Sequence, residues 1–222
     1  SGVWAGEWVP TRILIDLRLP RTVLCVAVGA ALGMSGAALQ GLLRNPLAEP
    51  GLLGITSGAA LGAVVALYTG LAQLAILALP LAGMAGTLLA VLLVLALARR
   101  GEDTTTLLLA GVAISSLAGA LIALVMNWSR NAFALQEIVF WMMGSLADRS
   151  MREVWLAVPA IVVGLLVLAG TRQGLQALSL GEETAHSLGI DLRRLRLRVL
   201  LGTALSVGAA VSVAGSIGFV GL

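Results

Sequence analysis

The chain has 222 residues, of which 59% are hydrophobic and 11% are charged, and its mean hydropathy is +1.02. Soluble domains carry about 25% charged residues, so this composition excludes a soluble globular domain and predicts an integral membrane protein. The formal net charge of +3 comes from arginine alone, because the sequence contains no lysine. No basic stripe alternates with aromatic residues, so we expect no nucleic-acid partner.

Six apolar stretches approach the roughly 20 residues that a helix needs to cross a bilayer. None of them contains a charged residue, and the second and fifth are short. In chain order they are Thr22–Leu43, Leu52–Tyr68, Leu74–Ala98, Thr105–Trp128, Val154–Ala169 and Val199–Phe219. The sequence therefore predicts an all-α, polytopic transmembrane helix bundle that forms a single domain over residues 1–222.

Small residues recur four positions apart within four of these stretches. Such rows let helix backbones approach closely in lipid, so we interpret them as helix-packing positions rather than substrate contacts. The rows are Gly29 with Gly33, Gly58 with Gly62, Gly111 with Ser115 and Gly119, and Gly202 with Ser206 and Ala210.

Six crossings would place both ends of the chain on the same side of the membrane. The opposite side would carry eight of the 14 arginines, which favours a cytoplasmic location for it. All nine aromatic residues fall on or beside the first side, as expected for a single membrane interface. On that side, Phe133–Gly144 is apolar but too short to cross, and it predicts an interfacial helix.

The longest polar run, Gly174–Arg198, lies on the side predicted to be cytoplasmic. Ser179 and Glu182 match the capping-box pattern S-x-x-E, which predicts a short helix over Leu180–Leu188 that ends at Gly189. Two interpretations of this run stay open from the pattern alone. It is either a solvated loop with a helical turn or a docking surface for a partner on the basic side.

Asp191 is expected to cap the helix that follows this run. His186 is the only histidine, has no other histidine or cysteine near it, and is expected to pair with Glu182 at i, i+4. The single cysteine, Cys25, lies in an apolar stretch and indicates neither a disulfide nor a metal cluster. We therefore expect no metal, no cofactor and no catalytic residue.

The run Arg18–Gly54 ends in the string RNPLAEPGLLG, in which Pro46 and Pro50 predict a sharp turn before the second span. This run closely resembles permeases of the FecCD type, which belong to bacterial ABC importers of ferric siderophores, haem or cobalamin. Further segments that agree in order and spacing are Leu107–Gly111, Trp141–Gly144, Leu180–Gly189 and Gly215–Leu222.

The resemblance implies a bundle of roughly ten spans in the bacterial inner membrane, of which about six are present here. It also implies a permease homodimer surrounded by membrane lipid, two ABC ATPase subunits and a periplasmic substrate-binding protein. Because the family pattern continues on both sides, we expect this chain to be a fragment. A phosphate-binding P-loop needs a lysine, which is missing here, so ATP hydrolysis is expected from a separate subunit.

The resemblance also implies roles for individual residues. In the family, the loop that matches Leu178–Asp191 forms the coupling helices that contact the ATPase. The residues expected to face the ATPase are Gly181, Glu182, Ala185, Leu188 and Gly189.

Two further pairs are assigned by the same resemblance. Thr104 and Thr105, in the segment Asp103–Thr106, match the cytoplasmic gate, and a helix N-cap is the alternative role. Arg18 and Arg21 match arginines that receive acidic groups of the binding protein, and interfacial snorkelling is the alternative.

Rival functions fit the sequence less well. An ion-coupled secondary transporter usually keeps acidic or histidine side chains at membrane depth, and the six stretches contain none. An intramembrane hydrolase needs a nucleophile and a base inside the bundle, but the only histidine lies in the polar run. A purely structural membrane protein would leave that capped run unexplained. Among substrates, family abundance favours a ferric siderophore or haem over cobalamin.

Overall fold

The computed structural model describes residues 12–75, 77–98, 104–129, 132–147 and 149–217, and these residues form helices joined by short connections. Trp4, Trp8 and Phe219 lie outside the described residues, as does Asp103. The helices longer than one turn are α1 (Ile13–Leu43), α2 (Ile55–Tyr68), α3 (Ala78–Ala98), α4 (Thr104–Trp128), α5 (Ala132–Met142), α6 (Met151–Ala169), α7 (Arg172–Ser179), α8 (Glu182–Ser187) and α9 (Leu192–Ala214). Helix α1 starts with a π-helical segment, Ile13–Arg18, and a single α-helical turn, Leu71–Leu74, follows α2.

Five of the described helices are long and apolar enough to cross a membrane. They are α1, α3, α4, α6 and α9, with 31, 21, 25, 19 and 23 residues. These helices confirm five of the six predicted spans, with α1 and α9 beginning several residues earlier than predicted.

The second predicted span, Leu52–Tyr68, is not one continuous α-helix. A 3₁₀ turn over Pro50–Leu53 precedes α2, which has only 14 residues. At about 2 Å per residue in the turn and about 1.5 Å in the helix, the two together extend about 29 Å, close to the thickness of the hydrocarbon core. The second crossing therefore begins in a segment that is not α-helical, and the backbone groups left free there must be satisfied by the protein.

Helix α9 lies at the centre of the bundle. It packs against α1, α2, α3 and α6, and 78% of its spanning window is buried. Gly202 on α9 faces Gly164 on α6 so closely that a methyl group on Gly164 would lie 2.7 Å from the Gly202 carbonyl oxygen. The row of small residues at Gly202 and Ser206 is thus confirmed as a packing position.

Among the other rows of small residues, some glycines pack closely against a neighbouring helix and others do not. A methyl group on Gly58 of α2 would lie 2.7 Å from the carbonyl oxygen of Gly86 on α3, which confirms close packing there. By contrast, a methyl group on Gly29, Gly33 or Gly119 would meet no described atom within 4 Å. For these three glycines the packing prediction is wrong among the described residues, because a side chain there would contact no described helix.

Helix α5 corresponds to the predicted interfacial helix and has 11 residues. Phe133 and Phe140 are 81% and 69% exposed, whereas Ile138 and Trp141 are buried. The chain leaving α5 is fixed to the end of α9, because the Ser145 backbone N–H donates to the Ala214 carbonyl oxygen at 2.7 Å. One face of α5 therefore packs on the bundle while its aromatic face stays open.

Candidate coupling site

Helix α7 leads from the end of α6 into the polar run and packs one face on the bundle. Ala177 and Leu178 are buried. Gly174 lies against α9, where a methyl group would be 2.7 Å from Leu195 Cδ1. Because Gly174 allows this close approach, α7 provides a fixed base for the segment that follows.

The start of α8 differs from the sequence prediction. Ser179 is the last residue of α7, and its hydroxyl donates to the Gln176 carbonyl oxygen at 2.7 Å. Helix α8 begins at Glu182 after Gly181, which has a φ of +120° and provides no side-chain cap. The predicted capping box is therefore wrong, because α7 extends through the serine that was expected to cap α8.

The end of α8 agrees with the prediction. Gly189 adopts a left-handed conformation with φ +79°. The Ile190 N–H bonds to the Ala185 carbonyl oxygen at 3.0 Å and the Gly189 N–H to that of His186 at 2.9 Å. These two bonds form a Schellman motif, which satisfies the last carbonyl groups of a short helix.

The candidate coupling site, called the coupling site below and defined as residues 178–191, is mostly exposed. Leu180 and Leu188 are 69% and 61% exposed and flank the acidic residues Glu182 and Glu183. Ala185 differs from the expectation, because its side chain is fully buried and cannot face a partner. Ala185 instead packs against the rest of the protein on the buried face of α8. The exposed surface of the coupling site therefore combines two leucines with two acidic side chains.

Three contacts hold the coupling site to the rest of the chain. Glu182 Oε1 lies 3.5 Å from Arg196 Nη2 on α9, so its ion pair within the described residues is with Arg196 and not with His186. Asp191 caps α9 as predicted, accepting from the Arg194 N–H at 3.0 Å. Arg44, at the end of α1, donates from Nη2 to the Leu178 carbonyl oxygen at 2.8 Å.

The two predicted gate residues lie in the first turn of α4. Thr104 is the first described residue of α4, both threonines are already helical, and neither is therefore its N-cap; the side chain of Thr105 is exposed. Arg18 and Arg21 are also exposed, near the start of α1. The α-helical part of α1, Leu19–Leu43, is about 37 Å long. This length places the two arginines across the membrane from Arg44 and the coupling site.

Arg44 lies outside residues 178–191 but is attached to them, and sequence reasoning missed this attachment. Its contact joins residues 134 positions apart, a distance at which no local pattern operates. Its backbone is also unusual, with φ +48°, the one non-glycine residue with positive φ in the described part of the chain. No local sequence feature distinguishes this arginine from one that faces solvent.

Comparison with known proteins identifies the family. The FecCD transport family matches residues 5–222, which is nearly the whole chain. The chain belongs to the FecCD transport family. This match includes both the coupling site and the RNPLAEPGLLG string, and it confirms the resemblance drawn from those segments.

This FecCD chain is similar in sequence to vitamin B12 import permeases and in fold to a solved ABC transporter. It is 41% identical over 220 residues to the "Vitamin B12 import system permease protein BtuC" of Salmonella paratyphi A and to that of Salmonella typhi, covering 98% of this chain and 67% of each relative. Its fold matches a solved structure titled "An inward-facing conformation of a putative metal-chelate type ABC transporter" with a TM-score of 0.90 and 32% identity, over 96% of this chain and 68% of that one. The all-helical transmembrane bundle is thereby confirmed as a permease fold.

Proposed function

We propose that this chain is the permease subunit of a bacterial ABC importer that moves a metal chelate across the inner membrane. The observation that carries the proposal is the 41% identity with the vitamin B12 import permeases over 98% of the chain. The exposed coupling site supports it, because a permease without a P-loop needs a surface that receives its ATPase.

The proposed mechanism separates chemistry from movement. Two partner ATPases bind and hydrolyse ATP, while the permease itself catalyses no reaction. Closure of the ATPases displaces α8, and the displacement passes into the bundle to open or close a pathway between two permease copies. Contacts to the ATPase are assigned to Gly181, Glu182, Leu188 and Gly189, with Ala185 as the buried support beneath them.

Two further assignments follow from the same function. Thr104 and Thr105 form the cytoplasmic gate, where small hydroxyl side chains close a pore without burying charge. Arg18 and Arg21 receive acidic groups of a periplasmic binding protein, and their exposure at the far end of α1 supports this role. Charged rim contacts of this kind act mainly on the association rate and on its salt dependence.

Family abundance alone favours a ferric siderophore or haem as the substrate. The named relatives shift this order, because they are vitamin B12 import permeases. Cobalamin is therefore the first substrate to test, with ferric siderophores and haem next. Selectivity is assigned mainly to the binding protein.

The test uses the full-length permease expressed with the ATPase and binding protein encoded beside its gene. After purification and reconstitution into proteoliposomes, uptake of cyanocobalamin, ferrichrome and haemin is measured with and without ATP. We expect the ATPase to co-purify and one of the three compounds to enter only with ATP. Uptake driven by a proton or sodium gradient without ATP, or purification without any ATPase, would contradict the proposal.

A further inference from the structure

The segment from Arg44 to Gly54, here called the connector loop, is an ordered element between α1 and α2. Its turns are closed by backbone bonds, from the Ala48 N–H to the Asn45 carbonyl oxygen at 3.0 Å and from the Gly54 N–H to that of Gly51 at 3.1 Å. Ala48, Pro50 and Leu53 are buried. A packed loop with satisfied backbone groups moves as one piece more readily than a solvated one.

One end of the connector loop is attached to the coupling site. The Leu178 carbonyl oxygen accepts from Arg44 Nη2 at 2.8 Å and also from the Gly181 N–H at 3.1 Å. Leu178 and Gly181 border the bend at which α7 gives way to α8. The guanidinium of Arg44 therefore binds the backbone at Leu178, between α7 and α8. A displacement of α8 would move this backbone before it moved the membrane-spanning helices.

The other end of the connector loop is attached to α4. The Ser115 hydroxyl donates to the Gly51 carbonyl oxygen at 2.9 Å. A methyl group on Gly111 would lie 2.5 Å from the Leu52 carbonyl oxygen, so the loop backbone lies directly against the helix. Ile114 completes this face, since its Cγ2 lies 3.0 Å from a methyl group placed on Gly54.

These α4 residues are spaced i, i+3 and i+4, so they share one face of the helix. Gly111 is seven residues from Thr104, which corresponds to about 10 Å along the helix axis. A shift of the connector loop against this face would therefore be carried by a continuous helix to the first turn of α4.

We propose that the connector loop transmits movement of the coupling site to α4, with Arg44 as the positioning residue at one end and the Gly51–Ser115 hydrogen bond at the other. The proposal rests on the function proposed above and names the route by which that function operates. Coupling between distant sites is carried by contiguous packed and hydrogen-bonded groups, and this loop provides such a path from α8 to Thr105.

The test measures the response at the gate separately from ATP hydrolysis. Thr105→Cys is introduced into the full-length permease in a background without other cysteines, and the permease is reconstituted with its ATPase. The rate at which N-ethylmaleimide modifies this cysteine is compared without nucleotide and with ATP plus vanadate. The ratio of the two rates reports the movement at the gate.

Two variants remove one end of the connector each. Arg44→Gly removes the guanidinium while accepting the positive φ, and Ser115→Ala removes a single hydroxyl. We expect each to keep ATPase activity but to reduce the nucleotide-dependent ratio about tenfold, the factor that corresponds to the loss of one such hydrogen bond. Arg44→Lys retains charge and reach and should recover part of the response.

Matched controls separate transmission from a loss of structure. Arg172→Ala removes another exposed arginine near the coupling site, and Ser116→Ala removes the exposed serine next to Ser115. Both should respond like the parent. A full nucleotide response in Arg44→Gly or in Ser115→Ala would overturn the proposal. If Arg44→Gly fails to assemble, the single-hydroxyl variant Ser115→Ala decides alone.

Failure of the connector and failure of the importer function give different results. If the chain is not an ABC permease, the parent permease will bind no ATPase and its modification rate will not respond to nucleotide. If only the connector proposal is wrong, the parent responds and the two variants respond equally well.

Discussion

The hydroxyl oxygens of Ser35 on α1 and Ser206 on α9 lie 3.0 Å apart, and both residues are fully buried. The Ser206 hydroxyl also lies within hydrogen-bond distance of the Gly202 carbonyl oxygen, at 2.8 Å. Either serine hydroxyl can donate in the bond between the two helices, because each carries one hydrogen and can also accept. This bond fixes the central helix α9 against α1 at a position where both side chains are small.

A double-mutant cycle on this pair should reveal a modest coupling energy. Hydrogen bonds between membrane helices contribute about 0.5 to 1.5 kcal/mol, so Ser35→Ala and Ser206→Ala should couple by an amount in this range. The free energy of unfolding is measured for the two single variants and the double variant in mixed detergent micelles. The exposed Ser116→Ala provides the control and should leave stability unchanged. Strictly additive effects would show that the bond contributes nothing to the folded protein in micelles.

Gly164→Ala should destabilise the bundle strongly. The added methyl group would lie 2.7 Å from the Gly202 carbonyl oxygen and 2.7 Å from the Ser206 nitrogen, and these backbone atoms cannot move without separating α6 from α9. Overpacking of this kind costs about 1 to 3 kcal/mol, measurable as a lower thermal midpoint of the purified protein.

Gly119→Ala is the matched control for Gly164→Ala, since a methyl group there meets no described atom within 4 Å. Equal destabilisation by the two substitutions would contradict the packing at Gly164. A loss of permease dimer confined to Gly119→Ala would instead locate that glycine at a contact between copies.

Ser150→Ala should cost about 1 kcal/mol of stability, whereas Ser179→Ala should have little effect. Ser150 is the N-cap of α6, accepting from the Arg152 N–H at 3.3 Å, while Glu153 Oε2 accepts from the Ser150 N–H at 2.9 Å. Ser179 lies inside α7 and caps nothing. The unfolding free energies of the two variants provide the comparison, and a larger loss in Ser179→Ala would reverse the assignment.

The two serines show what the sequence could and could not predict. Both Ser150 with Glu153 and Ser179 with Glu182 match S-x-x-E, yet only the first pair forms a capping box. A capping motif predicts a helix start only where the preceding chain is not already helical. Tertiary packing of α7 through Gly174 and Leu178 extends that helix through Ser179, and the local pattern contains no information about this packing.

The long helices could be predicted because an apolar stretch without charge that crosses lipid must satisfy its own backbone hydrogen bonds, and an α-helix does so within one segment. The start of α2 could not be predicted in this way. Pro50–Leu53 forms a 3₁₀ turn, and the Gly51 carbonyl oxygen in it accepts a hydrogen bond from Ser115, 64 positions away in the sequence. At the coupling site, the Gly189 stop followed from glycine's tolerance of positive φ. The attachment of Arg44 to Leu178 and the burial of Ala185 depend on contacts between elements that are distant in sequence.

Glu182→Arg should uncouple transport from ATP hydrolysis by placing a positive charge on the exposed surface of α8. If Glu182 serves the ATPase contact, uptake by the reconstituted full-length complex should fall about tenfold or more, because an unmatched charge at an interface costs more than a lost contact. The ion pair with Arg196 is 3.5 Å long, and the Glu182 side chain is 47% exposed and that of Arg196 20% exposed, so solvent screens it and its loss alone should have little effect.

The charge-swapped variant Glu182→Arg with Arg196→Glu separates the two roles of Glu182. It restores an opposite-charge pair within the chain but leaves the reversed charge facing the ATPase. If Glu182 contacts the ATPase, the swap should fail to restore uptake, and the amount of co-purified ATPase should stay low. If the swap restores uptake to the parent level, Glu182 acts only through Arg196, and the partner surface of α8 must then consist of Leu180, Leu188 and the Gly189 turn.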